Sequence, residues 1–239
     1  MFETIDFSII GVDEAGRGPL FGPVVAAAVY FPGGELIEGV DDSKALDEER
    51  RERLFEIIVN KAIYGIGTAT PEEVDILNIF HATELAMNRA LDSLAEKVQI
   101  GTVLVDGKNL KLKYPARCVV HGDSKIYQIA AASIVAKVYR DRLMRQFHEK
   151  FPHYGLERNK GYPTPEHLEA LKKCGPTPFH RLSFEPVLKL LTFERLKIWV
   201  ESREISFDRY NKLVKLLEVD LFGNTKYAIK KRQKSRGGK

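Results

Sequence analysis

Apolar positions along the chain follow two rhythms. Phe7 to Val12, Val24 to Phe31 and Ala62 to Thr68 are short runs rich in Val, Ile and Ala, close together in sequence, and they predict neighbouring strands. Thr102 to Val105 is a further apolar strand, stopped by Asp106-Gly107, and Val119-Val120 is a last short one. A helical rhythm interrupts them. Asp47 to Asn60 is charged on one side and carries Leu54, Ile57 and Ile58 on the other, while Thr83 to Val98 sets Leu85, Ala86, Leu91 and Leu94 at helical spacing. Ile126 to Phe147 reads as one long helix, with Asp123 or Ser124 as its N-cap. Past Phe151, prolines at 152, 163, 165, 176 and 178 mark a loop-rich stretch holding one short helix, Pro165 to Lys173. Pro186 to Val219 turns helical again. Strands first, then helix alternating with strand, predict an α/β protein: a mixed sheet flanked by helices, with a small helical C-terminal extension.

Composition narrows the class. A chain of 239 residues, 44% hydrophobic and 29% charged, has the apolar content for a core and suits one large domain with at most a small appendage. No apolar run approaches a bilayer span, and Met1 to Ile10 carries Glu3 and Asp6 but no base, unlike a signal peptide. The protein is therefore read as cytoplasmic, without a membrane partner and as a monomer. Cys118 and Cys174 build no framework or zinc spacing and are taken as reduced interior thiols; no His-x-x-x-His pair points to a histidine site. The net charge of +4 is uneven. Residues 226–239 hold seven cations and no acid, leaving the first 225 residues at −3. That tail is either a phosphate-binding arm or a solubilising terminus.

Acids at strand ends carry the chemistry. Asp13-Glu14 stand where an apolar strand runs out, and two adjacent carboxylates are hard to keep ionised near a core without a cation. Strand neighbours point to opposite faces, so both reach one site only where the strand ends or bends, and glycines at 16, 18 and 22 supply the bend. Asp106 repeats the pattern after Val103-Leu104-Val105, and Asp123, before the long helix, offers a fourth oxygen ligand. Taken singly, each is also a turn or a cap. Together, without a Cys or His cluster, they suit a hard cation, magnesium or manganese. Two such ions can grip a phosphodiester from both sides. Gly16-Arg17-Gly18 is a tight loop whose amides can approach an oxygen-rich ligand, although it is neither a Walker A nor a dinucleotide fingerprint. Lys160-Gly161-Tyr162 sets a cation and a ring together in a loop, suited to sugar and phosphate. Ser43, Lys44 and Arg181 are further phosphate contacts by residue type, and Asp141 is read as pairing within its helix.

In order along the chain, Gly11-Val12-Asp13-Glu14-Ala15-Gly16-Arg17-Gly18-Pro19, Gly22 to Ala27, Asp42-Ser43-Lys44, Val105-Asp106-Gly107, Gly122-Asp123, Ala131 to Lys137, Lys160-Gly161-Tyr162 and His180 to Phe184 resemble ribonuclease HII, in its bacterial form. The resemblance spans residues 7 to 190. It implies an RNase H-like fold over 1–185; the pattern adds a helical extension over 186–225, and the basic tail over 226–239 departs from the family, matching no motif of it. It implies hydrolysis of the RNA strand of RNA–DNA hybrids and incision at single ribonucleotides in duplex DNA, leaving 3′-hydroxyl and 5′-phosphate ends. Asp13, Glu14 and Asp106 match the metal ligands, with Asp123 in the fourth position and Asp141 as its competitor. Gly16 to Gly18 match the loop that reads the ribose 2′-hydroxyl, and Tyr162 the tyrosine on the sugar at the RNA-to-DNA junction. A carboxylate-dependent DNA exonuclease and a binding scaffold without chemistry are the rival readings.

Overall fold

The computed structural model describes residues 6–40 and 46–219. Ser43, Lys44 and the tail 226–239 lie outside the described residues. Along the chain come β1 (Ile9–Ala15), β2 (Val24–Tyr30), α1 (Glu48–Lys61), β3 (Ile63–Ala69), α2 (Pro71–Leu77), α3 (Ile79–Ala95), β4 (Thr102–Asp106) and β5 (Ala116–Val119). There follow α4 (Tyr127–Lys150), α5 (Leu156–Asn159), α6 (Pro165–Cys174), α7 (Glu185–Leu188) and α8 (Phe193–Glu201), and residues 207–219 are helical as well. The strands form one mixed sheet in the order β3-β2-β1-β4-β5, antiparallel on the β2 side of β1 and parallel on the β4 side.

Strand alternation divides the core. Ile10 and Val12 of β1, with Val103 and Val105 of β4, pack with Ala86, Ala90, Leu91 and Leu94 of α3. The opposite face of the sheet, through Ala15, Ala27 and Val29, packs on Tyr127, Ala131, Ile134 and Val138 of α4. A third core lies off the sheet, where Leu20, Phe21 and Met144 meet Leu182, Leu196, Trp199, Leu213 and Leu217. The C-terminal helices therefore share a core with the loop that follows β1.

Several expectations shift. β1 runs past Asp13 and Glu14 to Ala15, because Ala15 still pairs with Val25. α3 starts at Ile79 on an Asn78 cap, and α2 before it, with its Thr70–Glu73 capping box, was not foreseen. Neither Asp123 nor Ser124 caps α4. They lie in a 3-10 turn over Gly122–Ser124, and Ile126 occupies the cap position with no side-chain bond. The continuous helical run over 186–219 is broken into separate helices, one opened by the Thr192 cap. Cys174 is exposed and Cys118 half-buried, so neither is an interior thiol; Cys174 closes a helix whose buried face is carried by His167 and Leu171. No helix among the described residues is long and apolar enough to cross a membrane.

Candidate active site

Asp13 sits on the α4 face of the sheet, two residues before the end of β1, and is 5% exposed. Its carboxylate accepts from the Glu14 amide at 2.7 Å and from the Ser133 hydroxyl of α4. Burial, then Glu14, then Asp106 push its pKa well above the ordinary carboxylate range, the two hydrogen bonds pulling the other way. Alternation places Glu14 on the other face, yet it lines the same cavity, because β1 ends at the next residue. Asp106 ends the parallel neighbour β4 and accepts from the Gly122 amide at 2.6 Å. That bond ties the tip of β4 to the turn that carries Asp123.

The three acids share a cavity of about 220 Å³ with Gly16, Arg17, Gly18, Ser133, Lys137, Arg140 and Tyr162. Asp123 is buried in its turn, outside that lining. Asp141 pairs with Lys137 one helical turn earlier, as its spacing predicts, and also stays outside the lining. Every acidic donor here is a carboxylate oxygen, and the burial of Asp13 beside two like charges is a conflict that a hard cation would resolve. By donor chemistry and charge the residues fit such an ion. Among the described residues, however, no three His, Cys, Asp or Glu already stand close enough to hold one.

The loop after β1 is shaped from beneath. Gly16 has φ +91°, and a Cβ there would meet Arg140 Nε at 2.0 Å, so glycine is required both for the turn and for the guanidinium under it. Arg181 donates to the carbonyls of Gly16, Arg17 and Gly22, and Arg140 to those of Phe21, Pro23 and Lys160. Arg181 is fully buried, which corrects the expectation that it contacts phosphate: its donors are spent on the loop. Burial lowers the pKa of Arg140 to about 10 and that of Arg181 to about 9. The ring of Tyr162 lies over Gly18, where an added Cβ would stand 3.3 Å from Cε1, and it is 42% exposed. Lys160 is turned from the cavity to Glu48, at 3.1 Å, while Arg17 is solvent-exposed and reaches Glu14 at 3.4 Å. Ser133, Lys137 and Arg140 received no role in the sequence reading. Their signal is polar residues at spacings of four and three on one helical face, the first two of them set within the apolar stretch Ile129 to Val138.

The profile of the family described as Ribonuclease HII matches residues 10–187. The chain belongs to the ribonuclease HII family. A ribonuclease HII of Thermotoga maritima is 54% identical over 213 residues, covering 89% of this chain and 88% of its own. Among solved structures, ribonuclease H2 from Pyrococcus horikoshii superposes with a TM-score of 0.61 at 28% identity, over 76% of this chain and 96% of that one. An Archaeoglobus fulgidus RNase HII, solved in complex with PCNA, gives 0.61 at 26% identity, over 74% and 95%. A ribonuclease HII is a ribonuclease H, an endoribonuclease acting on RNA–DNA hybrids, and the family is metal-dependent. The mixed sheet flanked by helices, which the strand and helix pattern predicts, is the RNase H-like fold that the resemblance implies.

Proposed function

We propose that this ribonuclease HII cuts the RNA strand of hybrids and also incises at single ribonucleotides embedded in duplex DNA, leaving 3′-hydroxyl and 5′-phosphate ends. The observation that carries this reading is one cavity where carboxylates from the ends of β1 and β4 meet a glycine loop and an exposed tyrosine. Asp13, Glu14 and Asp106, with Asp123 brought in from the adjoining turn, would hold the metal. A bound pair of magnesium or manganese ions supplies the Lewis acidity that activates water and stabilises the leaving oxygen. Arg181 engages the carbonyls of Gly16 and Arg17 in the loop that lines the cavity, and the loop's backbone N–H groups are the donors assigned to a ribose 2′-hydroxyl and its phosphate. Tyr162 packs on the sugar of the following deoxynucleotide. Lys160, from the same loop, and Ser43 and Lys44, outside the described residues, serve the flanking phosphates. One chain supplies every residue of this set, so a monomer suffices.

Asp106→Asn keeps the shape and the Gly122 hydrogen bond but removes a charge. The expected result is loss of cleavage by at least about a thousandfold, with hybrid affinity within a few-fold of the parent. Cleavage products from a duplex carrying one ribonucleotide, with and without chelator, are the measurement. Metal-dependent cutting that survives in this variant, or end-trimming of plain DNA by the parent, sinks the proposal.

A further inference from the structure

Two buried histidines lie behind the tyrosine and take no part in the chemistry described so far. His167, in the first turn of α6, and His180, in the segment paired with the loop after β1, are both fully buried. Their four ring nitrogens are engaged in a line. His167 Nδ1 lies 2.9 Å from the Tyr162 carbonyl, and a carbonyl only accepts, so this nitrogen carries the proton. The Thr177 amide donates to His180 Nδ1 at 3.1 Å, so that nitrogen is bare and His180 Nε2 carries the proton. The remaining contact, Nε2 to Nε2 at 3.4 Å, then runs from His180 to His167. With both rings neutral, this is the arrangement in which each donor meets an acceptor. Burial holds both rings neutral, lowering their pKa values below the usual histidine value.

The line ends on a residue whose backbone is pinned throughout. The Tyr162 amide donates to Asn159 O at 2.9 Å, and the Gly161 carbonyl accepts from Leu20 at 2.8 Å. Thr164 N also donates to the Tyr162 carbonyl, at 2.8 Å, and the same threonine caps α6. His180 is braced in turn: its carbonyl accepts from Arg209 at 2.7 Å, and its ring stands 4.8 Å from that of Phe21. The relay therefore connects the loop after β1, through two imidazoles, to the residue whose ring covers Gly18.

We propose that His167 and His180 are positioning residues for substrate selection, holding the Tyr162 ring over Gly18 so that preference for an embedded ribonucleotide depends on two side chains that never touch the substrate. This rests on the reading of Tyr162 given above. The experiment measures kcat/KM on a duplex with one ribonucleotide and on a uniform hybrid, and takes the ratio. Loss of one hydrogen bond in His167→Leu should lower the ratio roughly tenfold. His167→Asn places an amide donor near the position of Nδ1, and the ratio should stay within about twofold of the parent. Tyr162→Ala should lower it at least as far as His167→Leu does. A ratio that falls in Tyr162→Ala but not in a folded His167→Leu overturns the relay and leaves the tyrosine reading standing. A ratio unmoved in Tyr162→Ala overturns both. A merely structural role would lower stability in His167→Leu and leave the ratio alone. Nitrogen-15 spectra of the parent enzyme need no variant to fold: Nδ1-protonated His167 and Nε2-protonated His180 are expected, and the opposite tautomers overturn the proposal.

Discussion

Asp13 sets chemistry against stability within a single side chain. It is buried beside Glu14 and Asp106, and its raised pKa records how poorly the metal-free protein tolerates the charge. Asp13→Asn should therefore raise the melting temperature in chelator, by ~3 °C for a chain of this size, while abolishing cleavage. Calorimetry beside the hybrid assay checks both, and a lower melting temperature would mean that the bonds from Glu14 and Ser133 outweigh the repulsion. His180 bears on pH. Burial, then His167 and Arg209, hold its pKa well below 6.5 in the folded protein. Above about 6.5 the ring is neutral in both states and stability is complete; below it the unfolded chain takes up a proton that the folded chain refuses, so stability falls. The His180 share of that loss is about 1 kcal/mol between pH 7 and 5.5, so His180→Gln should lose about 1 kcal/mol less than the parent, with the share of His167, whose pKa burial also lowers, remaining. Urea midpoints of the two proteins at both pH values give the comparison. At this scale the sequence supplied the acids through their local surroundings, an apolar run ending in a charge. It misjudged Arg181, since residue type says nothing about which way a guanidinium faces.

The sheet reads the same way from both sides until its helices are placed. α3 crosses β3 so closely that a Cβ on Gly67 would stand 2.1 Å from Ala86 O and 2.3 Å from Ala90 N. Backbone cannot yield as a flexible side chain does, so Gly67→Ala should cost about 3 kcal/mol. Asp13 and Asp106 lie on the α4 face, and Ala26 of β2 stands between Gly67 and Glu14 on the other, so the rate per folded molecule should be unchanged; denaturant titration and the hybrid assay together test the separation. A slower folded enzyme would show that the two faces are coupled. The elements themselves were largely legible. β2, β3, α1 and α6 lie within a residue or two of their predicted ends, because period and capping are local properties. α2 was missed because Pro71–Leu77 is too short for a periodic signal, although its capping box was visible in Thr70 and Glu73.

Across the whole molecule, the C-terminal helices are tied to the sheet-bearing body by a buried ion pair as well as by the apolar core they share with the loop after β1. Arg209 meets Asp75 of α2 at 2.7 Å and donates to the carbonyls of Pro178 and His180, while Asp75 also accepts from the amides of Leu182 and Ser183. Arg209→Met leaves that carboxylate buried without its cation and should destabilise the protein by about 3 kcal/mol. Because Arg209 braces His180, this variant should also weaken single-ribonucleotide preference more than hybrid cleavage, measured at a temperature where it stays folded. A loss shared equally by both substrates would confine the pair to stability. Asp75 and Arg209 stand far apart in the chain, and no window of sequence connects them. The order of strands and helices, the acids at strand ends and the glycine loop are written locally, in residues that act on their immediate neighbours. Which carboxylates share a cavity, which arginines disappear beneath a loop and which histidines stand behind the tyrosine were settled only by packing, since each depends on elements joined across space by burial.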